Sequence, residues 1–356
     1  MNHLQRYLVE EFLEDYQEGY LTRRQALRRI AGITGMAMAV QLLAACGQPG
    51  QPAAEPTSAP APTEPPAEPA AMATEAPAAT EAPAATEAPA ATEAPAATEA
   101  PAASPTAASA AGQTGMSPNS VAEDDPEIVV ERVEFPGADA ALMGYLARPA
   151  AEGTYPIVLV CHENRGLTPH IEDVTRRVAK AGYVGLAVDL LSREGGTAQV
   201  ADADSIPGLL SGAPPERHVQ DFAAGLEYAK SLPYAQADRA GMVGFCFGGG
   251  VTWLVAAGVP ELRAAVPFYG PPPPAEQLAN INAAVLAIYA GNDQRINQSI
   301  PTVEAAMQDL GKTYQKIIYP DVDHAFHNDT GQRYNAEAAQ AAWAETLAWF
   351  EQHLKM

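Results

Sequence analysis

Between residues 47 and 120 the chain contains no lysine, no arginine and no aromatic residue, and it repeats Thr-Glu-Ala-Pro-Ala-Ala five times, from Thr74, Thr80, Thr86, Thr92 and Thr98. Nothing in that unit can build an apolar core. Proline in every repeat blocks a continuous helix, and the glutamates repel one another. The tract reads as a semi-extended, disordered tether. Fully polyproline-like, at about 3 Å per residue, it could reach roughly 200 Å. It divides the 356 residues into 1–46, 47–120 and 121–356. The last part, about 235 residues, is one domain of ordinary size with enough chain to bury a substantial core.

The formal charge of -22 divides along the same lines. Residues 1–46 carry five arginines and five acids, the tract carries eight glutamates and no base, and 121–356 carry 16 basic and 30 acidic residues. An acidic domain without a basic run repels phosphate backbones, which excludes nucleic acid as the expected partner. Three cysteines, Cys46, Cys161 and Cys246, are no disulfide framework in a chain this long.

Residues 1–46 read as an export signal rather than as part of the fold. Thr22-Arg23-Arg24-Gln25-Ala26-Leu27-Arg28 resembles a twin-arginine motif, with Ala26 where an aromatic is usual. The apolar stretch 30–45 is short for a membrane span but suits a signal h-region. It ends in Leu43-Ala44-Ala45-Cys46, which resembles a bacterial lipobox. That resemblance implies that Cys46 is lipidated and that the protein is extracytoplasmic, anchored to the cell membrane through lipid and held off it by the tether. The acids Glu10, Glu11, Glu14, Asp15 and Glu18 are unusual in such a leader.

From Glu127 onward strand and helix signals alternate. Segments 128–135 and 141–148 flank Pro136-Gly137-Ala138-Asp139 as a hairpin. Strands are expected at 157–161, 183–188, 242–245, 264–269, 284–289 and 314–319, and helices at 169–181, 215–232, 248–257, 300–310 and 336–354. This rhythm predicts an α/β fold with a mostly parallel central sheet covered on both faces. A site is then expected at the carboxyl ends of the strands.

At one of those ends stands Gly244-Phe245-Cys246-Phe247-Gly248, a Gly-x-Cys-x-Gly turn entering a helix. It is the nucleophile-elbow pattern with cysteine at the apex. Backbone amides at the helix start, and any nearby imidazolium, favour a thiolate there. A phosphate-cradling turn is the alternative, but the spacing is not Gly-x-Gly-x-x-Gly and no Lys-Ser/Thr follows. Strand 284–289 is followed by Asp293 and strand 314–319 by His324. Nucleophile, acid and histidine thus occur at spacings of 47 and 31 residues, in α/β-hydrolase order. His324 would take the thiol proton and Asp293 would orient the imidazole. His327 is the nearest competing histidine, and Asp321 and Asp323 are competing acids by local contact alone.

These motifs, with His324-Ala325-Phe326, Phe268-Tyr269-Gly270 and Cys161-His162-Glu163-Asn164-Arg165-Gly166-Leu167, resemble the dienelactone hydrolase family over about residues 128–354. The resemblance implies an α/β-hydrolase fold and a carboxymethylenebutenolidase-type hydrolase, cleaving carboxylic esters or lactones of small molecules through an acyl-thioester on Cys246. It also implies that Glu163 contacts the resting cysteine and influences its protonation. The oxyanion-hole amides would be those of Phe247 and Asn164. The family's substrate-binding arginine, four residues after the histidine, is here Asn328. Arg165 and Arg295 lie in loops near the expected site, either as substitutes or as surface residues.

Cys161 reads as a buried strand residue. His162, His170 and His218 lack metal-ligand spacing, and no cofactor motif is visible, so neither a metal nor an organic cofactor is expected. The contrasting function class is a non-catalytic surface binding protein that retains the hydrolase fold.

Overall fold

Four strands carry near-continuous apolar runs and are buried over most or all of their length, and a fifth is buried over its apolar second half, as a sheet covered on both faces requires. In the computed structural model, which describes residues 1–45 and 117–355, they lie within a single eight-stranded sheet. Its order is β1 (Ile128–Pro136), β2 (Ala141–Pro149), β4 (Val184–Asp189), β3 (Tyr155–Cys161), β5 (Ala235–Phe245), β6 (Ala264–Phe268), β7 (Ala284–Ala290) and β8 (Tyr314–Tyr319). β2 pairs antiparallel with both β1 and β4, and every pair from β4 to β8 is parallel. The antiparallel edge is the expected hairpin. The parallel part points its carboxyl ends to one side.

Helices α4 (Pro169–Lys180), α6 (Pro215–Lys230), α7 (Phe247–Gly258), α9 (Ile300–Asp309) and α10 (Ala336–Phe350) match the expected helices, with ends shifted by a few residues. Their boundaries have local causes. Proline opens α4 and α6, where a missing N–H costs nothing, and the Asn335 side chain accepts from the Ala338 amide to start α10. The short helices α5 (Ile206–Gly212) and α8 (Gln294–Asn297) have no counterpart in the sequence reading. β5 begins seven residues before the expected strand, at Ala235, because its polar first half continues the pairing with β3 across a register shift at Pro156/Ile157.

The sequence reading set residues 1–46 apart from the fold. In the structure they form α1 (His3–Gln17), α2 (Arg23–Thr34) and α3 (Met36–Ala45), and these belong to the same compact unit as the sheet. Capping boxes start α1 at Asn2/Gln5 and α2 at Thr22/Gln25. Leu4, Leu8 and Phe12 recur every fourth residue of α1 and are fully buried in the common core. α2 approaches α5 where a Cβ on Gly208 would meet the Gly32 carbonyl oxygen at 2.7 Å, and Arg29 Nε donates to Asp204 at 3.0 Å beside it. Among the described residues no helix is long and apolar enough to cross a membrane. Cys46 and the repeat tract through residue 116 lie outside the described residues.

Candidate active site

The carboxyl ends of β3, β5, β7 and β8 bring together the residues that the sequence singled out. Cys246 sits between β5 and α7 with φ +60° and ψ -121°, a conformation that costs a non-glycine residue about 1–3 kcal/mol and persists only where its surroundings enforce it. They do so here. The Cys246 amide donates to the Phe268 carbonyl at 3.1 Å, and the Cys246 carbonyl accepts the first bond of α7 from Gly250 at 3.2 Å. A Cβ on Gly244 would lie 2.3 Å from the Gly248 oxygen, and one on Gly248 would lie 2.4 Å from the His162 oxygen. Glycine is therefore required on both sides of the elbow.

Asp293 caps α8, its Oδ1 accepting from the Ile296 amide at 3.2 Å, and its Oδ2 lies 2.6 Å from His324 Nδ1. Burial disfavours the Asp293 carboxylate, yet the His324 charge and hydrogen bond, with Arg295, outweigh that and hold it below the usual range. For His324 burial likewise opposes the charged form. The Asp293 charge and hydrogen bond outweigh it and raise the imidazole above its ordinary value. With Nδ1 committed to Asp293, Nε2 is the nitrogen left to face the other groups of the site. The competitors fall away on geometry. His327 is buried and stacked on Phe245 at 4.8 Å, its imidazole pushed well down by burial, while Asp323 accepts from Asn292 at 2.8 Å.

Two groups at the site come from α1, which the sequence reading did not place there. The Tyr7 hydroxyl lies 3.3 Å from Cys246 Sγ and 3.2 Å from His324 Nε2, bridging the two. Glu11 presents its Oε2 to the same sulfur at 3.5 Å. Glu163, expected to contact the cysteine, is buried nearby but accepts from Asn328 Nδ2 at 2.6 Å, so the carboxylate hydrogen-bonded to the thiol is Glu11. Asn164 is turned to the site as well, its side-chain amide donating to Glu11 Oε1 at 2.8 Å.

The Cys246 thiol is raised well above its ordinary value, first by burial and then by the charges of Glu11 and Glu163. The Tyr7 hydroxyl and the Phe247 amide act in the opposite sense without overcoming them. Phe247 opens α7, which leaves its amide beside the sulfur. Cys161 is a buried free thiol, as expected, and is not joined to Cys246.

Glu11, Cys246 and His324 hold one donor atom each within 4.8 Å of one another, the one cluster of described residues close enough to hold a metal ion. Thiol, carboxylate and imidazole are a donor set zinc accepts. Beside the sulfur lies a cavity of about 340 Å³, walled by Glu11, Glu163, Arg165, His324 and Arg333 among others. Arg295, read as either a substitute anchor or a surface residue, is half-buried against α1 instead. Its Nε donates to Glu14 at 3.1 Å and its guanidinium lies 4.5 Å from the centre of the Tyr7 ring.

The signal for these additional residues was present in the sequence as the acid row Glu11, Glu14, Asp15 and Glu18, out of place in a leader. Glu11 meets Asn164, Glu14 meets Arg295, and Asp15 and Glu18 both meet Arg333.

Comparison with known proteins agrees with this architecture. The profile of the dienelactone hydrolase family matches residues 142–354. The "putative carboxymethylenebutenolidase" of Methylorubrum extorquens is 35% identical over 260 residues, covering 70% of this chain and 89% of that protein. A "probable 2-oxo-3-(5-oxofuran-2-ylidene)propanoate lactonase" from Bradyrhizobium is 31% identical over 239 residues, covering 64% and 96%. Among solved structures, the "putative dienelactone hydrolase" of Klebsiella pneumoniae superposes with a TM-score of 0.60 at 33% identity, covering 64% of this chain and 99% of that one. The chain belongs to the dienelactone hydrolase family. It is a hydrolase with the α/β-hydrolase fold.

Proposed function

We propose that this protein hydrolyses carboxylic esters or lactones of small molecules through a Cys246–His324–Asp293 triad. The bond class follows from the family and from the carboxymethylenebutenolidase and lactonase relatives. The reading rests above all on the 2.6 Å contact between Asp293 Oδ2 and His324 Nδ1, which leaves Nε2 on the side of the sulfur, both atoms reaching the one Tyr7 hydroxyl.

In the proposed reaction the thiol proton passes to Nε2 as Sγ attacks the carbonyl carbon. The carbonyl electron pair moves onto oxygen, where the Phe247 and Asn164 amides hold the oxyanion. Collapse expels the alkoxide, which takes the proton from Nε2, and leaves an acyl-thioester on Cys246. Water then attacks that thioester with His324 as base, releasing the acid and restoring the thiol. Asp293 stabilises the imidazolium throughout. Glu163, held by Asn328, contributes charge near the sulfur, and Arg165 at the cavity wall is available to an anionic acyl group.

Cys246→Ala should abolish hydrolysis of aryl acetates and small lactones. Rapid quenching of the wild type should yield a peptide containing Cys246 with one added acyl mass. Full activity in Cys246→Ala would remove the mechanism.

Export and anchoring are part of the same proposal. Arg23 and Arg24 are exposed at the first turn of α2, where a twin-arginine receptor could reach them. Cys46 would carry the lipid and residues 47–120 the spacing from the membrane. Incorporation of a fatty-acid analogue in cells should disappear in Cys46→Ala; persistence of the label would reject the anchor.

A further inference from the structure

The leader that the sequence suggests is removable is also the segment that covers the nucleophile. We propose that α1 is a built-in inhibitory segment of the hydrolase, seating the Tyr7 phenol where the alcohol of a substrate must stand. The inference rests on Cys246 and His324 being the working pair.

The geometry is specific. The ester oxygen expelled from the tetrahedral adduct on Cys246 must receive its proton from His324 Nε2 while still close to Sγ. The Tyr7 oxygen occupies that position, 3.2 Å from Nε2 and 3.3 Å from Sγ. Cys246 and Tyr7 each retain only 3% of their possible exposure, so with α1 in place the sulfur is closed from the side of the leaving group. Glu11 adds an electrostatic block, since its carboxylate beside the sulfur disfavours the thiolate that would attack.

α1 is fastened from two directions. Leu4, Leu8 and Phe12 are buried in the core, and Leu4 lies over Gly250 of the nucleophile helix, where a Cβ would come within 3.1 Å of it. On its polar side Arg295 and Arg333 hold Glu14, Asp15 and Glu18. The Arg295 guanidinium over the Tyr7 ring fixes the phenol itself. Such polar fastening can be released without disturbing the sheet. The solved relative from Klebsiella pneumoniae is matched over 99% of its length by 64% of this chain, so the family fold extends over much less sequence than is present here. Under the export proposal, cleavage before Cys46 would sever α1 from the catalytic domain and make its release irreversible.

The test compares the full chain with two α1 variants, Glu14→Ala/Asp15→Ala/Glu18→Ala and Leu8→Asp/Phe12→Asp. The readouts are the rate of iodoacetamide modification of Cys246, followed by peptide mass mapping, and kcat/KM on an aryl acetate. If the uncovered state is populated about one time in ten or less, freeing α1 raises both by about tenfold or more. A purely structural α1 would give the opposite result, a fall in kcat/KM. Unchanged alkylation in a folded variant, or faster alkylation with lower kcat/KM, overturns the proposal. The acidic triple variant, which leaves the core untouched, decides the matter should the apolar pair prevent folding. Alkylation reports the cover whether or not Cys246 is the nucleophile. Failure of the catalytic reading would be seen separately, as undiminished hydrolysis by Cys246→Ala.

Discussion

At the residue scale the site is governed by four charges around one sulfur. Asp293 and His324 raise each other's charged forms against burial, while Glu11 and Glu163 hold the thiol protonated. Asp293→Asn keeps the shape but removes the charge that fixes the Nδ1–H tautomer. It should lower kcat by about 10³–10⁴-fold with little change in KM, as measured by steady-state ester hydrolysis. Glu11→Gln removes one of the two carboxylate charges that hold the thiol up. The midpoint of the pH profile for Cys246 alkylation should therefore move to lower pH. A profile that does not move would remove Glu11 as a cause of the raised thiol. Tyr7 and Glu11 were the residues that motif reading could not reach, because their role depends on a contact between positions more than 230 residues apart.

At the scale of elements, the elbow works because two backbones come closer than any side chain allows. Gly248→Ala places a methyl against the carbonyl oxygens of His162 and Cys161. It should destabilise the fold by about 1–3 kcal/mol, visible as a lower Tm, and reduce turnover by displacing Cys246. This much was legible in Gly-x-Cys-x-Gly. A second junction was not. Where the described chain resumes after the repeat tract, the Ser117 amide donates to Asp329, and Ser120 and Val121 donate to Asp173. Arg177 and His170 complete the cluster from α4. Burial disfavours the Asp329 carboxylate, but the bonds and charges of His170 and Arg177 outweigh it and depress the group below its ordinary value. A carboxylate depressed in this way contributes stability that is complete above the unfolded value, about pH 4, and is lost as pH falls through the folded one. Asp329→Asn should therefore lower Tm at neutral pH and flatten its decline in acid, measured by calorimetry from neutrality downward. Each partner in this cluster is an ordinary surface residue by type, and only folding assembles them.

At the scale of the whole molecule, the α/β rhythm of residues 128–354 leads to a parallel sheet, and the family match and sheet order agree with it. The core follows the parallel strands. Leu159, at the centre of β3 and fully buried, should cost about 2–5 kcal/mol on replacement by alanine, read as a loss of Tm. The N-terminal helices are where one-dimensional reading stopped short. Their apolar residues and arginine pair suit a leader, and the apolar residues equally suit docking onto a core, because burial against lipid and burial against protein draw on one hydrophobic pattern.

What the sequence determined by itself is whatever depends on local order: strand and helix periodicity, the glycines of the elbow, and the succession of cysteine, aspartate and histidine at strand ends. What only the tertiary structure decided is which groups share the space above the sulfur. It paired Glu163 with Asn328, put Glu11 and Tyr7 against Cys246, and set the Arg295 guanidinium over the Tyr7 ring. The physical reason is range. Periodicity and turn chemistry act over a few residues, whereas charge, burial and hydrogen bonding at the site act across distances in space that the chain's own order does not record.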